Sequence, residues 1–134
     1  MSDVTAFEKS MSLFAYLDNG GKDPRKIERM WRAAFSRVLR EMGFNRKARK
    51  VMWDTLAIGG WKHLHQTEDE KLKTREEWLE AFKWEVFYCS DRWCLDRLMR
   101  CHWLYRQWAG IGDGVSDDDL GETVRHTQEG GTHA

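Results

Sequence analysis

The chain has 134 residues, enough for one domain with its own core and no need of a metal or disulfide to hold it. A single Pro, 33% charged residues and eight Trp point to helices rather than many short strands, so the expected class is all-α, a small single-domain helical bundle of four to five helices. Formal charge is zero overall but unevenly placed: Lys22 to Lys50 carries eleven Lys/Arg against three acids (Asp23, Glu28, Glu41), while Asp113 to Ala134 carries six acids and one Arg. No apolar run reaches the roughly 18 residues a membrane span needs, and Asp3 and Glu8 interrupt any secretion-signal pattern. Cys89, Cys94 and Cys101 are an odd set of thiols in a helical pattern, which suits a reducing compartment, and a cytoplasmic protein is the expectation.

Residues 3–17 place Val4, Phe7, Met11 and Phe14 at steps of three and four, with Thr5 and Glu8 at capping-box spacing, and Asp18-Asn19-Gly20-Gly21 stops the pattern. This predicts a first amphipathic helix with that stripe inward. Asp23 as N-cap, Pro24 at the first helical position and Gly43 as the residue after the end predict a second helix over 24–42. Ile27, Trp31, Ala34, Val38 and Met42 form its core face, and Arg25, Arg29, Arg32, Ser36 and Arg40 follow helical steps along another. Asn45 then caps a third helix expected to run to Ile58, with Arg46-Lys47-Ala48-Arg49-Lys50 in its opening turns. Cations there oppose the helix dipole, so helix stability is not why they are present, and a bound anion near the free N–H groups would relieve the conflict.

Trp61 to His65 reads as a connector, and both Thr67/Glu70 and Thr74/Glu77 show capping-box spacing. From Leu79 the apolar stripe runs through Phe82, Val86, Cys89 and Trp93, then slips to Cys94, Leu98, Cys101, Tyr105 and Trp108. Ser90-Asp91 lies at the slip, which leaves two readings for 75–109: one bent helix, or two helices with Ser90 capping the second. Trp84 and Trp103 fall off the stripe, as residues buried on a second face or exposed for a partner. The helical domain is expected over 1–112, followed by an acidic, disordered tail over 113–134 that could fold over the basic segment and compete with its ligand.

Helix, Gly43-containing turn and helix resemble the outline of a helix-turn-helix DNA reader. The likeness stops at the outline: Leu39 stands where that motif usually has a small residue, and Arg49 where its second helix buries an apolar one. Architecture alone also fits a small basic all-α subunit of a nucleoprotein machine, such as the small subunits of CRISPR effector complexes.

Catalytic chemistry finds no constellation. Cys101 and His102 are neighbours on a helix and diverge by about 100°, so they do not pair as nucleophile and base. Gly110-Ile111-Gly112-Asp113-Gly114 follows a helix and lacks the Lys-Ser/Thr ending of a phosphate loop, and Asp117-Asp118-Asp119 lacks the alternating ligands of a calcium loop. His63, His65, Cys89, Cys94, Cys101 and His102 are able to bind zinc, but no pair has compact zinc-site spacing, so the thiols read as small core hydrophobes. No enzyme, cofactor or metal is expected.

What stands out is the one-signed face, since an ordinary solvated helix mixes signs. Arg outnumbers Lys seven to four within it, which suits bidentate contact with phosphate or carboxylate. The expectation is a non-enzymatic nucleic-acid-binding module, for DNA or RNA, that contacts phosphates through Arg25, Arg29, Arg32, Arg40, Arg46, Lys47, Arg49 and Lys50. The alternative is a protein-binding module or inhibitor, of phage or mobile-element type, that docks a Trp/Arg-rich surface including Trp84 and Trp103 on a host protein.

Overall fold

The computed structural model describes residues 4–57 and 74–111. The connector histidines, the Thr67/Glu70 box, Ile58 and the acidic tail lie outside the described residues. Among the described residues there are five helices and no strand: α1 (Ala6–Asp18), α2 (Pro24–Glu41), α3 (Arg46–Thr55), α4 (Arg75–Cys89) and α5 (Leu95–Ala109). None is long and apolar enough to cross a membrane.

The helix starts follow from local chemistry. Thr5 with Glu8 and Thr74 with Glu77 form complete capping boxes on α1 and α4, Asp23 caps α2 ahead of Pro24, and the Asn45 side chain accepts from the Ala48 N–H of α3. The α2–α3 turn closes as a Schellman motif: Phe44 N–H bonds to Leu39 C=O at 3.0 Å and Gly43 N–H to Arg40 C=O at 3.0 Å, with Gly43 at φ 99°. At the α1–α2 turn a Cβ on Gly21 would collide with the Tyr16 ring, whose hydroxyl accepts from the Asp23 N–H at 3.1 Å.

The slip at Ser90-Asp91 is a true break, and α4 and α5 are separate helices packed on each other. Ser90 does not open the second one: its Oγ donates to Phe87 C=O and so helps end α4, while Cys94 stands at the N-cap of α5 and makes no side-chain cap bond. Cys94 is exposed there, against the expectation of a core thiol, because the break rotates it off the stripe that buries Cys89 and Cys101.

The α1 stripe is also corrected. Ala6, Ser10, Leu13 and Leu17 face the core, whereas Val4 and Phe7 are about half exposed, at 47% and 48%. Apolar residues stand on two sides of α1, and the smaller set packs against α2 and α4 because short side chains let those helices approach. Ser10 fits inside by donating to Ala6 C=O at 2.7 Å and accepting from Trp93 Nε1 at 3.0 Å.

The core is aromatic. Trp31, fully buried, meets the rings of Phe35, Phe82, Trp93 and His102, and its Nε1–H donates to His102 Nδ1 at 3.0 Å. With Nδ1 accepting, the His102 proton sits on Nε2, which donates to Trp53 C=O at 2.6 Å. Burial pushes the His102 pKa down to about 3, so the ring is neutral. The unfolded chain takes up this proton near its ordinary value of 6.5, and the folded chain does so only near 3. The contribution is therefore complete above about pH 6.5 and declines as pH falls toward 3, by at most about 1.4 kcal/mol per pH unit. Urea unfolding between about pH 7 and pH 5 checks this: the midpoint should drop with acidification in the native protein and drop less in His102→Gln.

Candidate nucleic-acid interface

Two elements build the basic surface. The outer stripe of α2 carries Arg25, Arg29, Arg32 and Arg40, all exposed, and the opening turns of α3 carry Arg46, Lys47 and Lys50, also exposed. The Schellman turn folds α3 back on α2, so that Arg32, Ser36, Arg46, Lys47, Arg49 and Lys50 line one groove of about 670 Å³ with Phe35 and Trp53 beneath. Five cations and no acid line it.

Two of the three acids of the segment are engaged at helix starts, while Glu28 stands exposed on α2 among the arginines and outside the groove lining. Asp23 accepts from the Arg25 N–H at 3.1 Å as the cap of α2, and Glu41 reaches across to accept from the Ala6 N–H of α1 at 2.7 Å. Among the described residues Arg25, Arg29, Arg32, Arg46, Lys47 and Lys50 make no ion pair, whereas Lys83 pairs with Asp18 and Glu80, and Arg100 with Glu85. The cations at the start of α3 also flank its first backbone N–H groups, a position that favours an anion.

Arg49 and Arg32, two of the expected contact residues, also hold the corner together. Arg49 is half-buried and works as a clamp: its Nε donates to Ser36 Oγ of α2 at 2.9 Å and its terminal nitrogen to Phe44 C=O at 2.7 Å. Where a helix-turn-helix reader buries an apolar residue, this corner is held by a guanidinium, and Leu39 opposite is fully buried. Arg32 lies over the Trp53 ring, 4.9 Å from its centroid, while its charge stays at the groove. Trp53 is only 7% exposed beneath it, so its face is not an open stacking platform.

The two tryptophans off the stripe separate. Trp103 is 2% exposed and packs edge to face on Trp78, with centroids 5.1 Å apart, so it belongs to the core. Trp84 stays 38% exposed beside Phe14, Phe87 and Tyr88, and its Nε1 donates to Glu80 at 2.8 Å. His102 points into the core and is engaged by Trp31 and Trp53, away from its chain neighbour Cys101. Among the described residues potential metal ligands converge at Glu85, Cys89 and Cys101, between α4 and α5. Spacing did not reveal this cluster, because Cys101 reaches it only through the α4–α5 turn.

No protein-family model matches the sequence, and comparison with curated proteins and with solved structures finds no match either.

The clamp and the exposed cations should behave differently on mutation. Arg49→Ala removes two charge-assisted hydrogen bonds that join α2, the turn and α3, and should cost about 1–3 kcal/mol of unfolding free energy. Lys47→Ala should stay within about 0.5 kcal/mol of the parent. Urea denaturation followed by circular dichroism measures both.

Proposed function

We propose that the α2–α3 corner binds the phosphate backbone of a nucleic acid, without catalysis and with slight sequence readout. The observation that carries this reading is the groove lined by five cations and no acid, continued along α2 by Arg29 and Arg25. Arginines there offer planar donor pairs that match phosphate oxygens, and Lys47 and Lys50 add point charge. The first N–H groups of α3 supply further donors. Trp53, covered by Arg32, provides little surface for a base, which supports backbone contact over stacking.

If Arg25, Arg29, Arg32, Arg46, Lys47 and Lys50 each neutralise one phosphate, log affinity for duplex DNA should fall with log salt at a slope of about −5. Fluorescence anisotropy with labelled duplex and single-stranded probes measures it. The variant Arg46→Glu/Lys47→Glu/Lys50→Glu should lose more than about tenfold in affinity, and Lys50→Ala alone should make the slope shallower by about one. A slope near zero in the parent protein would sink the proposal.

A second reading, a protein-binding module or inhibitor, is favoured by a different observation. Phe14, Trp84, Phe87 and Tyr88 form a continuous ring cluster across α1 and α4, with Tyr88 64% exposed. Aromatic residues of this kind anchor protein interfaces. In a pull-down from the native host after nuclease treatment, the protein reading expects a partner retained at high salt and lost in Trp84→Ala. A partner released by nuclease returns the weight to the first reading.

A further inference from the structure

Away from the basic groove, α4 and α5 bring together three side chains that the nucleic-acid reading does not use. Glu85 and Cys89 stand one turn apart on α4, and Cys101 faces them from α5. A carboxylate oxygen of Glu85 and the two Sγ atoms all lie within 4.8 Å of one another. Both thiols are buried, at 1% and 0%, while the Glu85 side chain keeps 25% exposure. Cys89 Sγ lies 3.7 Å from Glu85 Oε2. Arg100 Nε sits 3.5 Å from Glu85 Oε2.

We propose that Glu85, Cys89 and Cys101 bind a zinc ion that ties α4 to α5. Zinc takes thiolate sulfur at about 2.3 Å and carboxylate oxygen at about 2.0–2.2 Å, so tetrahedral ligand atoms lie roughly 3.5–3.8 Å apart. Atoms already within 4.8 Å need to close by at most about 1.3 Å, a side-chain adjustment rather than a movement of helices. Calcium and magnesium require more oxygen ligands than the cluster offers, and copper(I) prefers an all-sulfur set. One carboxylate with two thiols suits the borderline-soft zinc ion.

Charge and proton balance are both met. Binding releases the Cys89 and Cys101 thiol protons to solvent, and the two thiolates and carboxylate leave one net negative charge around the divalent ion. Arg100 stands beside Glu85 to offset that charge and is able to hold the carboxylate from the outer shell. Three protein ligands leave the fourth position to water, which reaches the site from the exposed side of Glu85.

The test uses the full chain, reduced with a phosphine and stripped of metal, titrated with cobalt(II) as a spectroscopic substitute for zinc. The expected result is a one-to-one thiolate-to-cobalt charge-transfer band with the strong visible absorption of four-coordinate cobalt, displaced by zinc. C89S and C101S should each abolish the band, and C94S should leave it intact, since Cys94 is exposed at the start of α5. Glu85→Gln should weaken cobalt binding at least as much as the loss of an outer-shell partner, about ten- to hundredfold. Far-UV circular dichroism on each variant checks the fold; if the serine variants lose helicity, Glu85→Gln decides, because its side chain is not part of the buried core. No charge-transfer band in the parent, a band that survives C89S or vanishes in C94S, or unchanged affinity in Glu85→Gln would overturn the assignment.

Discussion

One imidazole holds the working parts of this fold together. His102 on α5 takes the Trp31 indole proton of α2 on one nitrogen and gives its own proton to the Trp53 carbonyl of α3 with the other. That carbonyl lies in the last turn of α3, where no further N–H of the helix is available to it, so the core supplies the missing donor. Arg106 adds a second donor to the same oxygen at 3.3 Å, and its positive charge meets the negative end of the α3 dipole. Loss of the ring would leave an indole N–H and a backbone carbonyl buried without this partner, and such groups cost far more unsatisfied than they contribute when paired.

The basic surface depends on that bond. α3 has ten residues and begins with cations that oppose its dipole, so in isolation it would be marginal at best. It is held at three points: Asn45 and the Schellman turn at its start, the Arg49 clamp to Ser36 and Phe44, and His102 with Arg106 at its end. With the helix fixed from both ends, Arg46, Lys47 and Lys50 can face the same groove as Arg32 without mutual repulsion opening the corner. Two of the segment's three acids are engaged as caps, Asp23 on α2 and Glu41 on α1, and the third, Glu28, does not line the groove.

Several features were legible in the sequence because their causes are local. Capping boxes at Thr5/Glu8 and Thr74/Glu77, the Asp23-Pro24 start and the Gly43 stop act within a few residues, and each forms as its spacing indicates. The separation of an oily and a charged side on α2 was legible too, since one helix with so strong a contrast has a single way to bury itself. By contrast α1 and α4 carry aromatics on two sides, and no local rule says which side turns inward. Phe7 and Phe14 had the stronger pattern on α1, yet Leu13 and Leu17 are the buried pair, because α2 and α4 approach along the side with the smaller side chains.

By itself, then, the sequence determined an all-helical chain, most of its helix boundaries and the concentration of positive charge on α2 and the start of α3, because caps, glycine turns and charge order are properties of neighbouring residues. Tertiary structure alone decided that Trp103 is core while Trp84 is surface, that Arg49 is a clamp rather than a free contact, and that Cys94 leaves the company of Cys89 and Cys101. It also decided the pairing of Trp31 with His102, 71 positions apart, and the meeting of Glu85 with Cys101 across a helical turn. Burial and buried hydrogen bonds are set by which helices pack together, and that choice is made by the whole core at once rather than by any window of the chain.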